Sequence, residues 1–514
     1  MKQLSHSLIL SNEELKHQSE PAAELPEKIL QIGEGNFIRG FNDWMVEQMN
    51  RQGIFNGRVI AVQPTPHGRK MPDVKAQNGA YTVVLRGTEQ GTSVDRADLI
   101  TAISRGINPY EEWNELVQAA CQPDVQIMMS NTTEAGLTYQ PEDWSREKAA
   151  LSFPGKLTQL LYERFLAYDG DPDKGWTLLP CELVERNGDV LKELVLRKIN
   201  DWKLGEAFET WILESNEFCQ TLVDRIVTGY PDNAEEFEER LGYKDKLLTV
   251  AEPFHLFVIE GSSRVKDILP LDQAGLNVRF ASVSDFAELK IRLLNAPHTM
   301  IFALSYLNGI DTVYETMKNQ SMRSFLDDVM DEAIKPLLAF PEEEKDNFSS
   351  AVLERFENPF QRHFLTDLGQ NGMQKFKSRV LPLWERIEGD DNSASHYFAA
   401  ALAGLLAYYQ PAEISGDKAE GRAFGRKIPL RETEESLTYI AGQWKEYKEG
   451  SISIITFTEN LLSREELWEN KAGFLKKKTS ETAAYLQALI ENDVEEALQL
   501  LKENTRRTNN EPAK

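Results

Sequence analysis

Cysteine is scarce in this chain. The three among 514 residues, Cys121, Cys181 and Cys219, are too far apart for a disulfide framework or a paired-thiolate zinc site, and their scarcity fits a reducing compartment. Positive charge is also short: 57 Lys and Arg stand against 82 Asp and Glu, a net charge of -25 that repels nucleic acid and anionic membranes. No apolar run reaches the roughly 18 residues of a membrane span. Leu8 to Leu10 are followed closely by Glu13, Glu14 and Lys16, which is no signal-peptide core. The expectation is a cytoplasmic protein that partners neither nucleic acid nor membrane. Composition leaves the oligomeric state open.

The chain exceeds the roughly 250 to 300 residues at which one core stops growing, so two large domains are expected. Up to about residue 280, β-rich apolar runs at 28–32, 59–63, 81–85, 125–130 and 176–181 alternate with helical patterns, as in an α/β domain with a mostly parallel sheet. Beyond it, long helical periodicities dominate, at 321–338, 393–409 and 480–501. The boundaries read as 1–282, 283–503 and a polar tail, 504–514, that should fray. There is no internal repeat.

The first apolar run ends at Ile32 and meets Gly33, Glu34, Gly35, Asn36, Phe37, Ile38, Arg39 and Gly40, followed by an apolar helical pattern. A glycine turn at a strand's carboxyl end lets a pyrophosphate approach the backbone, and the helix after it offers free N–H groups. The dinucleotide fingerprint is incomplete, because Ile38 occupies the third glycine position and Gly40 comes two residues late. An ordinary tight turn fits the same residues. At the end of the second strand, where an acid would hold the adenosine ribose of NAD, stands Gln63, with Arg69 and Lys70 close by, so NADP is not excluded. The polar cluster 130–136 follows another strand, and its Asn131 and Thr132 could reach a nicotinamide or simply cap a helix.

Lys290, Asn295 and His298 place an amine, an amide and an imidazole within nine positions. A break near Pro297 could bring the lysine towards the other two, where a partly desolvated amine acts as general base or acid. Asn295 would hold an oxygen that gathers negative charge, and His298 would orient hydroxyls. The competing reading is a solvated lysine, a helix cap at Asn295 and a structural histidine. No cluster of Cys, His and carboxylates suggests a metal.

Together these residues resemble the polyol-specific long-chain dehydrogenases, the mannitol dehydrogenase family. The resemblance extends from about Glu27 to the 490s and is most specific at 130–136, 174–188, 218–231 and from Glu357 through Asn358, Pro359, Phe360 and His363. It implies an N-terminal Rossmann-type domain that binds NAD, a mainly α-helical C-terminal domain, and a metal-free site whose catalytic lysine is Lys290, partnered by Asn295 and His298. It also implies NADH-dependent, reversible reduction of D-tagaturonate to D-altronate in hexuronate catabolism. Fructuronate reduction, mannitol oxidation and a nucleotide-binding sensor without catalysis are the alternatives. One departure is Leu183 after Cys181 and Glu182, where many members carry an oxyanion-holding asparagine. Asn187 is the candidate to replace it, unless it and Gly188 form a turn. A sugar-acid substrate needs a local cation in so acidic a chain, and Arg186, His255, Lys375 and Arg379 are the candidates. Asp224 and Arg225 read as a structural ion pair or turn.

Overall fold

The computed structural model describes residues 1–19, 25–89, 91–360, 362–387 and 393–510. The chain forms two compact units, Met1–Phe286 and Ala287–Lys514. In the first, six strands build the main sheet: β1 (Glu27–Ile32), β2 (Arg58–Val62), β3 (Ile103–Ile107), β4 (Ile127–Ser130), β5 (Thr177–Pro180) and β6 (Glu217–Phe218). Every neighbouring pair is parallel, in the order β3-β2-β1-β4-β5-β6. The order reverses between β1 and β4, and the crevice outside their carboxyl ends is where such sheets bind ligands.

Both faces of this sheet are covered. Ile29, Ala61, Ile127, Met129 and Leu179 enter one buried cluster, while Leu30, Ile60, Val62, Met128 and Leu178 enter another. Two-sided burial explains why the strands read as nearly continuous apolar runs. The run at 81–85 is an exception. It lies in Tyr81–Glu89, which pairs antiparallel with Thr92–Ile100 and parallel with Thr249–Ala251 in a second sheet. The main sheet takes β3 instead, whose centre, Ser104, Arg105 and Gly106, is too polar to announce a buried strand; Arg105 Nε donates to Glu27 at 2.9 Å.

The second unit is mostly helical. Every residue of Ala296–Leu307 is buried, as is nearly every residue of Ser393–Tyr408, and the two helices pack together. Three short antiparallel strands, Pro411–Ser415, Lys418–Ala423 and Arg426–Arg431, interrupt the helices without a sequence signal that periodicity detected. The stretch 480–501 divides into Thr479–Glu491 and Val494–Asn510. Residues 504–510 of the expected tail continue this helix, in which Val494, Leu498, Leu501 and Thr505 are buried; 511–514 lie outside the described residues. Among the described residues, no helix is long and apolar enough to cross a membrane.

Candidate active site

β1 turns through Gly33, Glu34 and Gly35 into a helix that runs from Asn36, through a π-helical turn at Arg39–Asp43, to Trp44–Arg51. Gly33 has φ +136°, and a Cβ there would stand 2.9 Å from the Asn131 carbonyl oxygen, so only glycine fits against the end of β4. At Gly40 a Cβ would meet Val227 Cγ1 at 2.9 Å and Thr249 Cγ2 at 3.2 Å. Gly40 therefore allows the close helix–strand packing assigned to the missing third glycine, but against the second sheet. Gly35 differs from both: its φ is an ordinary -68°, and nothing lies within 4 Å of where its Cβ would point. Open space beside the first N–H groups of a helix, which lack partners within it, suits a pyrophosphate.

The other loop residues divide by role. Arg39 is buried and donates to the Glu34 carbonyl, to Asn36 Oδ1 at 2.9 Å and to Thr249 Oγ1 at 3.2 Å, so it braces the loop. The π turn is held from outside: the Tyr81 hydroxyl donates to the Arg39 carbonyl at 2.9 Å and Arg225 Nη1 to that of Gly40 at 2.7 Å. Arg225, expected in an ion pair or turn with Asp224, braces backbone carbonyls, those of Gly40 and Glu252. Ile32 and Ile38 point into the core and bring only backbone to the loop, Phe37 stacks on Phe41 at 5.0 Å, and Asn36 is exposed. Gln63 is buried and its amide donates to the Thr65 carbonyl at 2.8 Å.

At the end of β4, Asn131 Nδ2 donates to the Cys181 carbonyl at 2.8 Å, while the Thr132 amide and hydroxyl both donate to Glu182 at 2.9 Å. Neither side chain caps the short helical turn Glu134–Gly136. Asn187 is fully engaged: its Nδ2 donates to the Pro180 carbonyl at 2.9 Å and to Thr221 Oγ1 at 3.0 Å, and its Oδ1 accepts from the Gly188 and Thr221 amides. With 1% exposure it staples two strands, so the proposed oxyanion role is corrected to a structural one.

Lys290 opens the second chemical group. The expected break at Pro297 is absent; Val283–Leu289 continues into a π-helical turn, Lys290–Asn295, and then into Ala296–Leu307. Proline cannot donate to the preceding turn and collides with its carbonyl, and a wider turn ahead of it lets the helix continue. The Ala296 amide donates to the Ile291 carbonyl, the i to i+5 bond of a π turn. In this geometry residues five apart return to one face, so Lys290 and Asn295 align, with His298 one α turn further on. Asn295 makes no capping bond, and both it and Lys290 are half-buried.

His298 lies deeper, with 7% exposure, and its Nε2 has no hydrogen-bond partner. Phe356 stacks on the ring with centroids 4.0 Å apart, and His363 meets its edge at 5.0 Å. Burial pushes the imidazole well below its usual pKa, and electrostatic interaction with His363, Arg355, Arg379 and Lys375 adds to the effect. Lys375 and Arg379, four apart on Gly372–Arg379, are therefore gathered beside His298, and burial lowers both. Lys375 Nζ donates to the Leu368 carbonyl at 3.0 Å. Arg355 escaped sequence reasoning because a lone arginine in a helix is usually solvated, although it sits two residues before the matched stretch beginning at Glu357.

Two other expected carboxylate ligands are placed elsewhere. His255 Nδ1 pairs with the Pro253 carbonyl at 3.1 Å and Nε2 accepts from the Asn277 amide at 3.0 Å, leaving no nitrogen for a carboxylate. Burial holds this ring neutral, with its pKa lowered to about 4. Arg186 Nε donates to Asp189 at 2.6 Å in an exposed pair at the start of Asn187–Trp202. Among the described residues, no group of three or more His, Cys, Asp or Glu is placed to hold a metal ion.

Residues 27–273 match the mannitol dehydrogenase Rossmann domain, and 282–490 match the mannitol dehydrogenase C-terminal domain. The chain belongs to the mannitol dehydrogenase family. It is 45% identical over 499 residues to an altronate oxidoreductase of Halalkalibacterium halodurans, covering 97% of each chain. It is 38% identical over 487 residues to an altronate oxidoreductase of Yersinia enterocolitica, covering 94% of this chain and 99% of that one. The fold is shared with a D-sorbitol dehydrogenase (TM-score 0.73, 20% identity, 96% of this chain and 100% of that one). It is shared also with Pseudomonas fluorescens mannitol 2-dehydrogenase, solved as a ternary complex with NAD and D-mannitol (TM-score 0.63, 20% identity, 98% and 100%).

Proposed function

We propose that this family member is an NAD-dependent oxidoreductase acting on CH–OH groups, and that it reduces D-tagaturonate to D-altronate, reversibly, in hexuronate catabolism. The observation that carries the sugar-acid reading is that Arg355, Lys375 and Arg379 all act electrostatically on the buried His298, whose Nε2 has no hydrogen-bond partner. Burial opposes the charge of Lys375 and Arg379, and a substrate carboxylate would offset that cost where a neutral polyol would not. The altronate oxidoreductase relatives support the same substrate.

The loop fits a dinucleotide at Gly35 and at the amides that open the helix behind it. When bound, the nicotinamide supplies the hydride for the substrate carbon. Lys290 supplies the proton: as ammonium it protonates the oxygen during reduction, and as amine it takes the hydroxyl proton during oxidation. The Asn295 amide donates to that oxygen where charge gathers. His298, held neutral, offers Nε2 to a neighbouring hydroxyl, and Arg355, Lys375 and Arg379 hold the carboxylate.

The test is NADH oxidation with D-tagaturonate, D-fructuronate and D-fructose in parallel, with and without a chelator. Chelator-insensitive turnover that favours tagaturonate is expected. Preference for another substrate would move the assignment within the family, and NADH binding with no turnover of any would replace it with a sensor.

A further inference from the structure

The end of β2 lacks the carboxylate that normally reads the adenosine ribose, and the amide of Gln63 there is turned to the Thr65 carbonyl. β1 and β2 are parallel neighbours, and the Gly33 amide donates to the Val62 carbonyl at 2.9 Å, so the residue after Gly33 emerges beside the end of β2. That residue is Glu34. Its Oε1 lies 3.0 Å from the position a Cβ would take on Gly68, in the loop following Gln63, while Gln63 Cδ lies 2.7 Å from the same point. The glycine loop thus carries an acid to the place where the second strand has none.

Glu34 is 5% exposed and its Oε2 has no hydrogen-bond partner. A buried carboxylate oxygen left this way is costly and calls for a donor. Two cations of this region have other partners: Arg39 donates to the Glu34 carbonyl, Asn36 and Thr249, and Lys70 lies 3.7 Å from Asp73 and donates to the Lys246 carbonyl.

We propose that Glu34 reads the cofactor's ribose, its carboxylate accepting from the adenosine hydroxyls and repelling a 2′-phosphate, and so sets the preference for NAD over NADP. This rests on the dinucleotide reading above. Glu34 is the specificity-determining acid, transferred from the second strand to the glycine loop.

The test uses the full chain and two fragments, ADP-ribose and 2′-phospho-ADP-ribose, titrated by calorimetry. A hydrogen bond to a charged acceptor is worth roughly 10- to 100-fold in affinity. The wild-type protein should bind ADP-ribose about tenfold or more tightly than its 2′-phosphate. Glu34→Gln should weaken ADP-ribose by about tenfold or more, leave the 2′-phosphate unweakened, and shift kcat/KM towards NADPH. Glu34→Asp, which keeps the charge, should keep the wild-type ranking. Equal loss of both fragments in Glu34→Gln would make the carboxylate a loop brace and overturn the proposal. Equal affinity for both in the wild type would overturn it whether or not the variants fold. Binding of neither would remove the dinucleotide reading and this inference with it, a result distinct from binding without discrimination.

Discussion

The imidazole of His298 lies almost flat against the ring of Phe356, 4.0 Å between centroids with the planes 28° apart. Burial against this apolar ring, with the electrostatic effect of neighbouring cations added, leaves the histidine no stable protonated form at neutral pH, because charging it would cost its desolvation and the repulsion of those charges. Its contribution is geometric and neutral. The group that exchanges a proton with the substrate must then be another one, and Lys290, on the same helical face, is the candidate.

It follows that His298 does not shape the pH–rate profile. Its pKa is displaced well below the usual 6.5, so no protonation change occurs at neutral pH. His298→Asn should lower kcat/KM while leaving the profile between pH 6 and 9 unchanged in form. An inflection present in the wild type and absent from the variant would show that the ring titrates after all.

Lys290→Ala should reduce turnover by roughly 10² to 10⁴, the usual worth of a positioned acid–base group. NADH affinity, measured by fluorescence titration, should stay nearly constant. Wild-type-like turnover would remove the lysine from the mechanism.

The two glycines of the cofactor loop should fail in different ways. Gly33→Ala sets a Cβ 2.9 Å from a carbonyl oxygen at φ +136°, so the fold itself is strained and the melting temperature should drop. Gly35→Val meets no protein atom within 4 Å and needs no unusual dihedral. It should melt as the wild type does and lose NADH binding, because the valine fills the space left for the pyrophosphate. Retained NADH affinity in Gly35→Val would mean the pyrophosphate lies elsewhere.

These contrasts show what the sequence could and could not reveal. Two-sided burial makes β1, β2, β4 and β5 legible as apolar runs, whereas β3 hides behind Arg105 and the strand at Tyr81 is apolar for the sake of another sheet. The trio Lys290, Asn295 and His298 was recognisable by type and spacing. Its alignment was not, because α-helical geometry separates residues five apart, and only the π turn before Pro297 brings Lys290 and Asn295 to one face. Asn187 and His255 have the right chemistry, yet both are exhausted by backbone partners that only the fold supplies. The place of Glu34 beside Gln63 and Gly68 was equally hidden, since a residue in the glycine loop gives no sign of which neighbouring strand it will meet.

The pairing of His255 has a measurable consequence for stability. Its pKa falls from 6.5 in the unfolded chain to about 4 in the fold, so between those values the unfolded state binds more protons. The resulting stability is complete above pH 6.5 and is lost as the pH falls towards 4, by at most about 3 kcal/mol. Glu34 and Asp43, both raised to about 7 by burial, act in the opposite sense over much of this range. The wild-type curve therefore mixes both signs, and the comparison with His255→Gln isolates the histidine. The stability difference between the two proteins should shift in favour of wild type as pH rises from 4.5 to 7, measured by urea unfolding. A difference that does not change with pH would contradict the neutral, doubly bonded ring.

The carboxylate-binding role of Lys375 and Arg379 can be separated from a general role in binding sugars. Both are half-buried beside His298 and burial opposes their charge, so the fold tolerates them at a cost that an anionic ligand would offset. Lys375→Met and Arg379→Met keep most of the packed length while removing the charge. For a uronate, each should raise KM by about tenfold or more, in line with the loss of a hydrogen bond to a charged group. For a neutral ketose of the same length, KM should stay level or fall, because no carboxylate is sought and a desolvated charge has gone. Steady-state kinetics with both substrates decide the matter. If KM rises equally for both, the two cations shape the pocket as a whole and the carboxylate is held elsewhere.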